Sequence, residues 1–300
     1  MVYLVLLAAV LSYSLQNIPN KKYQQLCGVG MAPSLVLILT SGLISLGLFF
    51  CLSGFQLGFS PASILYAAAF ALIGMTGTPA QLKAFELGSI STVLIYTLIG
   101  CSVIPFAYGA LFLKEQVTVW KVLALVLMCV SFLFKGLNNG QGKKAQGRDR
   151  WIYLGCCLCC FFSNGICSIL LKLNQITPGA LSQFPFMVWK SLFSVMAAGI
   201  VLAVLFRKQP PQQKQQTKTL LLGKTPLLCA LGLCITNGLG TVLSMTAASS
   251  LPSLIQFPVL NGGQLIFVCL IGRFLFHEKV SRREMVGVGL TLVSLVLFIL

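Results

Sequence analysis

Polar and charged residues interrupt this chain at intervals of about 20 residues, and the stretches between them are continuously apolar rather than alternating. Ten such runs are long enough, or nearly so, to cross about 30 Å of hydrocarbon as helices. They cover residues 2–19, 28–53, 61–86, 89–112, 117–135, 151–172, 181–206, 226–248, 252–275 and 282–300. Backbone groups in lipid must be satisfied internally, by helices or by a closed barrel, and unbroken apolar runs point to helices. The pattern predicts an all-α polytopic membrane protein with ten transmembrane helices. The first run has no basic residues before it and no small-residue cleavage site after it, so it is expected to stay as a helix.

The pattern also repeats. Gly109, Glu115, Val117, Leu127, Val130 and Ser131 recur as Gly272, Glu278, Val280, Leu290, Val293 and Ser294 at a constant offset of 163, with Thr118 answered by Ser281. The same offset lays 61–91 over 224–254, matching Gly77 with Gly240 and Ala84 with Ala247. An offset of 151 pairs Ser12, Ile18, Lys21 and Gln24 with Ser163, Ile169, Lys172 and Gln175. Runs one to five therefore answer to runs six to ten. Because five is odd, the two copies start on opposite sides of the bilayer, and the repeat is inverted. Residues 1–135 form the first five-helix unit, 136–150 a basic linker, and 151–300 the second unit.

Composition agrees. The chain is 57% hydrophobic and 9% charged, with a mean hydropathy of +0.92, against roughly 25% charged residues in soluble domains. Its net charge of +16 sits in the breaks between apolar runs, where topology explains it and nucleic-acid binding is not expected. Lys21, Lys22, Lys83, Lys135, the 136–150 linker, the 207–225 loop, Arg273, Lys279, Arg282 and Arg283 all fall in odd-numbered connections. Only Lys114, Lys121 and Lys172 fall in even-numbered ones. The odd connections are thus expected on the cytoplasmic side of a cell membrane (plasma or inner), which places both termini outside. The twelve cysteines lie mostly within apolar runs. Cys156, Cys157, Cys159 and Cys160 read as small apolar filler rather than a metal site, since the one histidine, His277, is distant. No cofactor is expected.

At the paired turns around Glu115 and Glu278, and at the breaks Ala84–Ser91 and Ala247–Leu254, the chain resembles the drug/metabolite transporter superfamily, EamA-like family. The resemblance covers essentially the whole chain through its length, ten runs and five-plus-five repeat. It implies a multi-pass carrier of small metabolites with a central cavity between the halves, and it names no substrate. Relatives usually keep both termini in the cytoplasm, whereas the charge distribution here places them outside. The small four-helix exporters of that superfamily use a glutamate in the first helix; the first run here has none, so the resemblance lends no support to proton coupling.

Candidate pathway residues are polar groups inside the runs. Lys190 lies about nine residues into the seventh, beside Trp189. An ammonium so deep should face a wet cavity or a partner, and could attract an anionic or carboxylate group; the alternative is that it snorkels to a headgroup. Asn164, Asn237 and Asn261 need hydrogen-bond partners in lipid. Asn237, Thr241 and Ser244 share a helix face, as do Gln256, Leu260 and Gln264, while the fourth run offers Ser89, Thr92 and Tyr96. Such stripes suit a water-filled path or interhelical hydrogen bonding. Glu86 is the acid nearest a helix body, and Glu115 and Glu278 read as local caps or partners of neighbouring lysines. Pro79, Pro105 and Pro258 are expected to bend helices. Runs five and ten carry almost no polar residue and should face lipid or a second copy, leaving room for a homodimer.

These features favour a secondary transporter, importing or exporting a small-molecule metabolite by alternating access between two inverted halves. The alternative is a non-transporting membrane scaffold or receptor-like protein. An enzyme is not expected, because no clustered His, Asp and Cys set, phosphate loop or carboxylate pair is present.

Overall fold

The computed structural model describes residues 2–28, 30–87, 90–136, 148–208, 217, 220–221, 223–275 and 282–299. These residues are almost entirely helical: α1 (Val2–Leu15), α2 (Asn17–Cys27), α3 (Met31–Leu52), α4 (Pro61–Leu87), α5 (Ile90–Leu111), α6 (Val119–Gly136), α7 (Arg148–Ile176), α8 (Gln183–Lys208), α9 (Lys224–Ala248), α10 (Ser253–Leu275) and α11 (Arg282–Ile299). Residues 137–147 of the linker, most of the 207–225 loop, Ser89, Glu278 and the side chain of Glu86 lie outside the described residues.

Eight helical segments are long and apolar enough to cross a membrane, with α1 and α2 counted as one stretch from Val2 to Cys27. α6 and α11 contain shorter apolar stretches, Val119–Leu133 and Met285–Phe298. The chain is thus a helical, membrane-embedded protein.

Two boundaries differ from the hydropathy reading. The first apolar run was bounded at residue 19, before Lys21 and Lys22, yet helix continues to Cys27. Long lysine stems can lie along an apolar surface, so two charges do not end a helix. What anchors this extension is Tyr23, which is buried, packs with Leu37, Cys229 and Ala230, and donates its hydroxyl to the Pro33 carbonyl at 2.8 Å. Lys172, expected in a connection, instead lies inside α7 and is buried. Its charge is satisfied locally, as described below.

The helices mingle rather than separating into two bundles. α1 packs on α9 and α10, and α4 packs on α7 and α8. α3 packs on α8 and α9, and α5 packs on α6, α7 and α10. The remaining large contacts are α6 with α11 and α10 with α11. Glycines set the closest approaches. A methyl group at Gly100 of α5 would run into the Phe161 carbonyl oxygen of α7, and one at Gly263 of α10 would lie 2.9 Å from Val10 of α1. Pro79, Pro105 and Pro258 lie inside α4, α5 and α10. One apolar cluster joins α5, α6, α10 and α11 through Phe106, Met128, Phe132, Leu265 and Phe298. Cys157 and Cys160 are buried in another, with Ala84 and Val93.

α6 and α11 are also pinned by polar contacts. Ser131 donates to the Gly287 carbonyl at 2.6 Å and touches the Thr291 hydroxyl at 2.5 Å. Ser294 donates to the Ala124 carbonyl at 2.7 Å. Their other sides expose Trp120, Val126, Val130, Met285, Val293 and Val296, as lipid-facing surfaces should.

Candidate functional site

Lys190 is the eighth residue of the 26-residue α8, so at 1.5 Å per residue its backbone is roughly 10 Å in from the helix start. Its side chain is half-buried and reaches toward α4, where Nζ stands 5.0 Å from the centre of the Phe70 ring. The thiols of Cys167 on α7 and Cys234 on α9 are the titratable groups that act on it. Cys167 is fixed by its contact with the Phe70 carbonyl at 3.8 Å, and Cys234 touches the Ser45 hydroxyl of α3 at 3.1 Å. Residues of α4, α7 and α9 thus act on the α8 ammonium. Among the described residues no carboxylate and no oxygen partners it.

Magnitudes make this position notable. A lysine at the centre of a bilayer costs about 2.5–3.5 kcal/mol on insertion scales, an upper bound for a position short of the helix middle. A cation over an aromatic ring recovers about 0.5–2 kcal/mol, the larger figure when desolvated. Phe70 therefore offsets part of the cost and leaves the charge uncompensated. Trp189, next on the helix, points elsewhere. Its indole N–H donates to the Gly58 carbonyl at 3.2 Å, and its ring stacks at 6.0 Å on Phe193.

The other candidate polar residues are mostly held in interhelical or local hydrogen bonds. Asn237 donates to the Gln16 side chain at 2.6 Å, and Thr241 accepts the Tyr13 hydroxyl at 3.0 Å. Both tie α9 to the α1–α2 segment. Asn261 donates to Ser102 at 3.1 Å, joining α10 to α5. Ser244 receives Gln256 on its carbonyl at 2.8 Å and on its hydroxyl at 3.3 Å, joining α9 to α10. Asn164 donates back to the Cys160 carbonyl of its own helix at 2.9 Å. Thr92 lies beside Tyr153 of α7, and Tyr96 packs on the apolar cluster of Ala84, Val93, Cys157 and Cys160. Gln264 is half-buried on α10. Lys190 is the charged member of this set, and like Asn164 and Gln264 it makes no interhelical hydrogen bond among the described residues. Its neighbours Phe70, Cys167, Cys234 and Ser45 carried no signal in the sequence, since an aromatic, a thiol or a hydroxyl in an apolar run is commonplace.

A second polar cluster closes the end of the bundle where α7 and α9 finish and α10 begins. Lys172 donates to the Ala248 and Leu251 carbonyls at 2.5 and 2.6 Å, satisfying the C-terminus of α9. Glu115, in the turn between α5 and α6, accepts the backbone N–H groups of Ser253 and Leu254 at 2.8 and 2.9 Å, capping α10. Glu115 was expected to cap α6 or pair with a nearby lysine. It reaches across to another helix because its chain reverses at Lys114, which has φ of 52°, and because Gly109 leaves room beneath the carboxylate. At the same end, Asn174 Oδ1, Gln175 Nε2, Ser253 Oγ and Gln256 Oε1 are buried with no partner among the described residues.

No protein-family model matches the chain, and no curated protein matches it. Its backbone does match solved structures. One, described only as "Crystal structure of protein", superposes with a TM-score of 0.65 at 10% identity, covering 99% of this chain and 96% of that one. At that identity the likeness concerns the fold, over nearly the full length of both chains.

Proposed function

We propose that this protein is a secondary transporter that moves a small organic metabolite across a cell membrane by alternating access between two inverted five-helix halves. The observation that carries the reading is Lys190, an uncompensated cation inside the bilayer that meets Phe70 from the other half. Intramembrane charges face pathways or partners, and this one has no partner of opposite charge among the described residues.

Paired contacts support the inverted repeat. Shifting the chain by 163 turns the Ser131–Gly287 hydrogen bond into the Ser294–Ala124 one. Shifting by 163 on one side and 151 on the other turns the Gly100–Phe161 approach into the Gly263–Val10 one. Within α1 and α7, Ser12 and Ser163 bond back to Ala8 and Cys159, again 151 apart. Helix neighbours follow suit: α4 on α7 answers α9 on α1, and α5 on α7 answers α10 on α1. With α6 and α11 counted as spans, the basic connections on one side would be cytoplasmic and both termini outside.

The end held by Glu115 and Lys172 suits a closure that opens. A buried polar group without a partner costs about 1–3 kcal/mol. Water reaching this end would supply partners to the four side-chain atoms there. The decisive experiment is flux into liposomes containing the purified protein, measured against a panel of metabolites. Saturable uptake above protein-free liposomes is expected; none across the panel would favour a scaffold.

A further inference from the structure

Among the described residues, no counter-charge stands against Lys190. Lys172, a buried lysine within α7, is held by two carbonyl oxygens. Lys190 has the face of Phe70 and two thiols. A ring face attracts a cation but cannot neutralise it. A ligand that carries negative charge would supply what the ring face cannot.

We propose that Lys190 and Phe70 form the binding subsite for a monovalent organic carboxylate, and that this is the substrate class carried. The proposal rests on the transport reading above. The ligand's carboxylate takes the ammonium, and its apolar body lies against the Phe70 ring, with Cys167 and Cys234 alongside. Monovalence follows from the charge count. Lys21 and Lys22 lie within α2, Lys83 within α4 and Lys172, with two of its donors engaged, within α7, but among the described residues no second cation acts on Lys190. A phosphate dianion would leave a surplus charge in the bilayer. A lysine is also a compact point charge, without the planar fork by which arginine grips two oxygens of a phosphate. An amino acid fits poorly, since among the described residues no carboxylate stands near Lys190 to receive its ammonium group. The aromatic ring and the polarisable sulfurs favour an aryl or alkyl body over a polyhydroxylated one.

The test uses three probes of one shape: 3-phenylpropionate, its neutral amide 3-phenylpropanamide, and the cation 3-phenylpropylamine. Thermal shifts of the purified protein are read as a function of probe concentration, since a ligand that binds the folded form raises its melting temperature. The carboxylate should give a saturable shift, and the amide and amine none at equal concentration. Lys190→Gln should melt normally and lose the response. Phe70→Leu should keep the response with affinity reduced roughly tenfold. The proposal is overturned if the wild-type protein does not respond to the carboxylate, if acid and amide act alike, or if Lys190→Gln binds as tightly as wild type. Its failure is separable from failure of the carrier reading. Saturable flux of a neutral or cationic solute, unaffected by Lys190→Gln, removes the anion subsite and leaves a transporter. Lys190-dependent binding without flux of any solute keeps the subsite and removes the transporter.

Discussion

Glu115 and Ser253 are joined at 2.8 Å although they lie in different halves of the chain: the carboxylate accepts the Ser253 amide while its second oxygen takes the amide of Leu254 at 2.9 Å. A helix N-terminus presents unpaired N–H groups and a partial positive charge, and both favour a carboxylate. Glu115→Gln keeps an acceptor but loses the charge, and should cost about 1 kcal/mol; Glu115→Ala should cost about 1–2 kcal/mol. Equilibrium unfolding in detergent would check this. Equal stability of Glu115→Ala and wild type would show that the cap contributes nothing.

Lys172 does the converse job at the end of α9. Removing its ammonium with Lys172→Met leaves the buried Ala248 and Leu251 carbonyls without that donor. Hydrogen bonds from a charged donor are worth about 1.5–3 kcal/mol, so a loss in that range is expected. Amide exchange measured by mass spectrometry should report it as faster exchange confined to 248–256, the turn that this lysine and Glu115 hold from either side. Lys172→Arg should restore part of the protection.

Helix spacing offers a sharper contrast. Alanine at Gly100 would drive a methyl into the Phe161 backbone, and alanine at Gly165 would meet Ile104 and the Gly100 carbonyl, whereas Gly155 on the same α7 faces open space. Overpacking a tight contact typically costs about 1–3 kcal/mol. Gly100→Ala and Gly165→Ala should lower the yield of monodisperse protein and its melting temperature, and Gly155→Ala should match wild type. Similar behaviour of all three would mean that α5 and α7 do not approach so closely.

Membrane orientation can be read with reporter fusions. An alkaline-phosphatase fusion after residue 300 should be active and one within 136–150 inactive, as the lysine and arginine distribution requires. The reverse pattern would place the basic connections outside and overturn the orientation.

The places of the helices were legible because a bilayer leaves little freedom: about 20 apolar residues cross it, and the breaks must be wet. The tenth run, for example, appears as α11 over Arg282–Ile299. Charge marked helix ends less well. Lys21 and Lys22 lie within α2 and Lys172 within α7, because a lysine can remain helical where its stem or its ammonium finds company. Lys190 was legible as the charge that did not belong to an end. Its surroundings were not, since Phe70, Cys167 and Cys234 are ordinary apolar residues until the fold gathers them around a cation. Nor could the sequence pair Glu115 with Ser253, because periodicity reports which face a residue occupies and says nothing of which distant helix will occupy the space opposite.

The seam between α6 and α11 limits how the molecule can deform. Ser131 and Ser294 each hook onto the opposite backbone, in opposite directions along the two helices. Two such hooks block longitudinal slip, since a shift either way would strip both at once. Because the two hooks stand seven residues apart on each helix, about 10 Å at 1.5 Å per residue, they also resist a change of crossing angle. The seam makes one rigid piece of the pair: any force applied to α6 is passed to α11 without play.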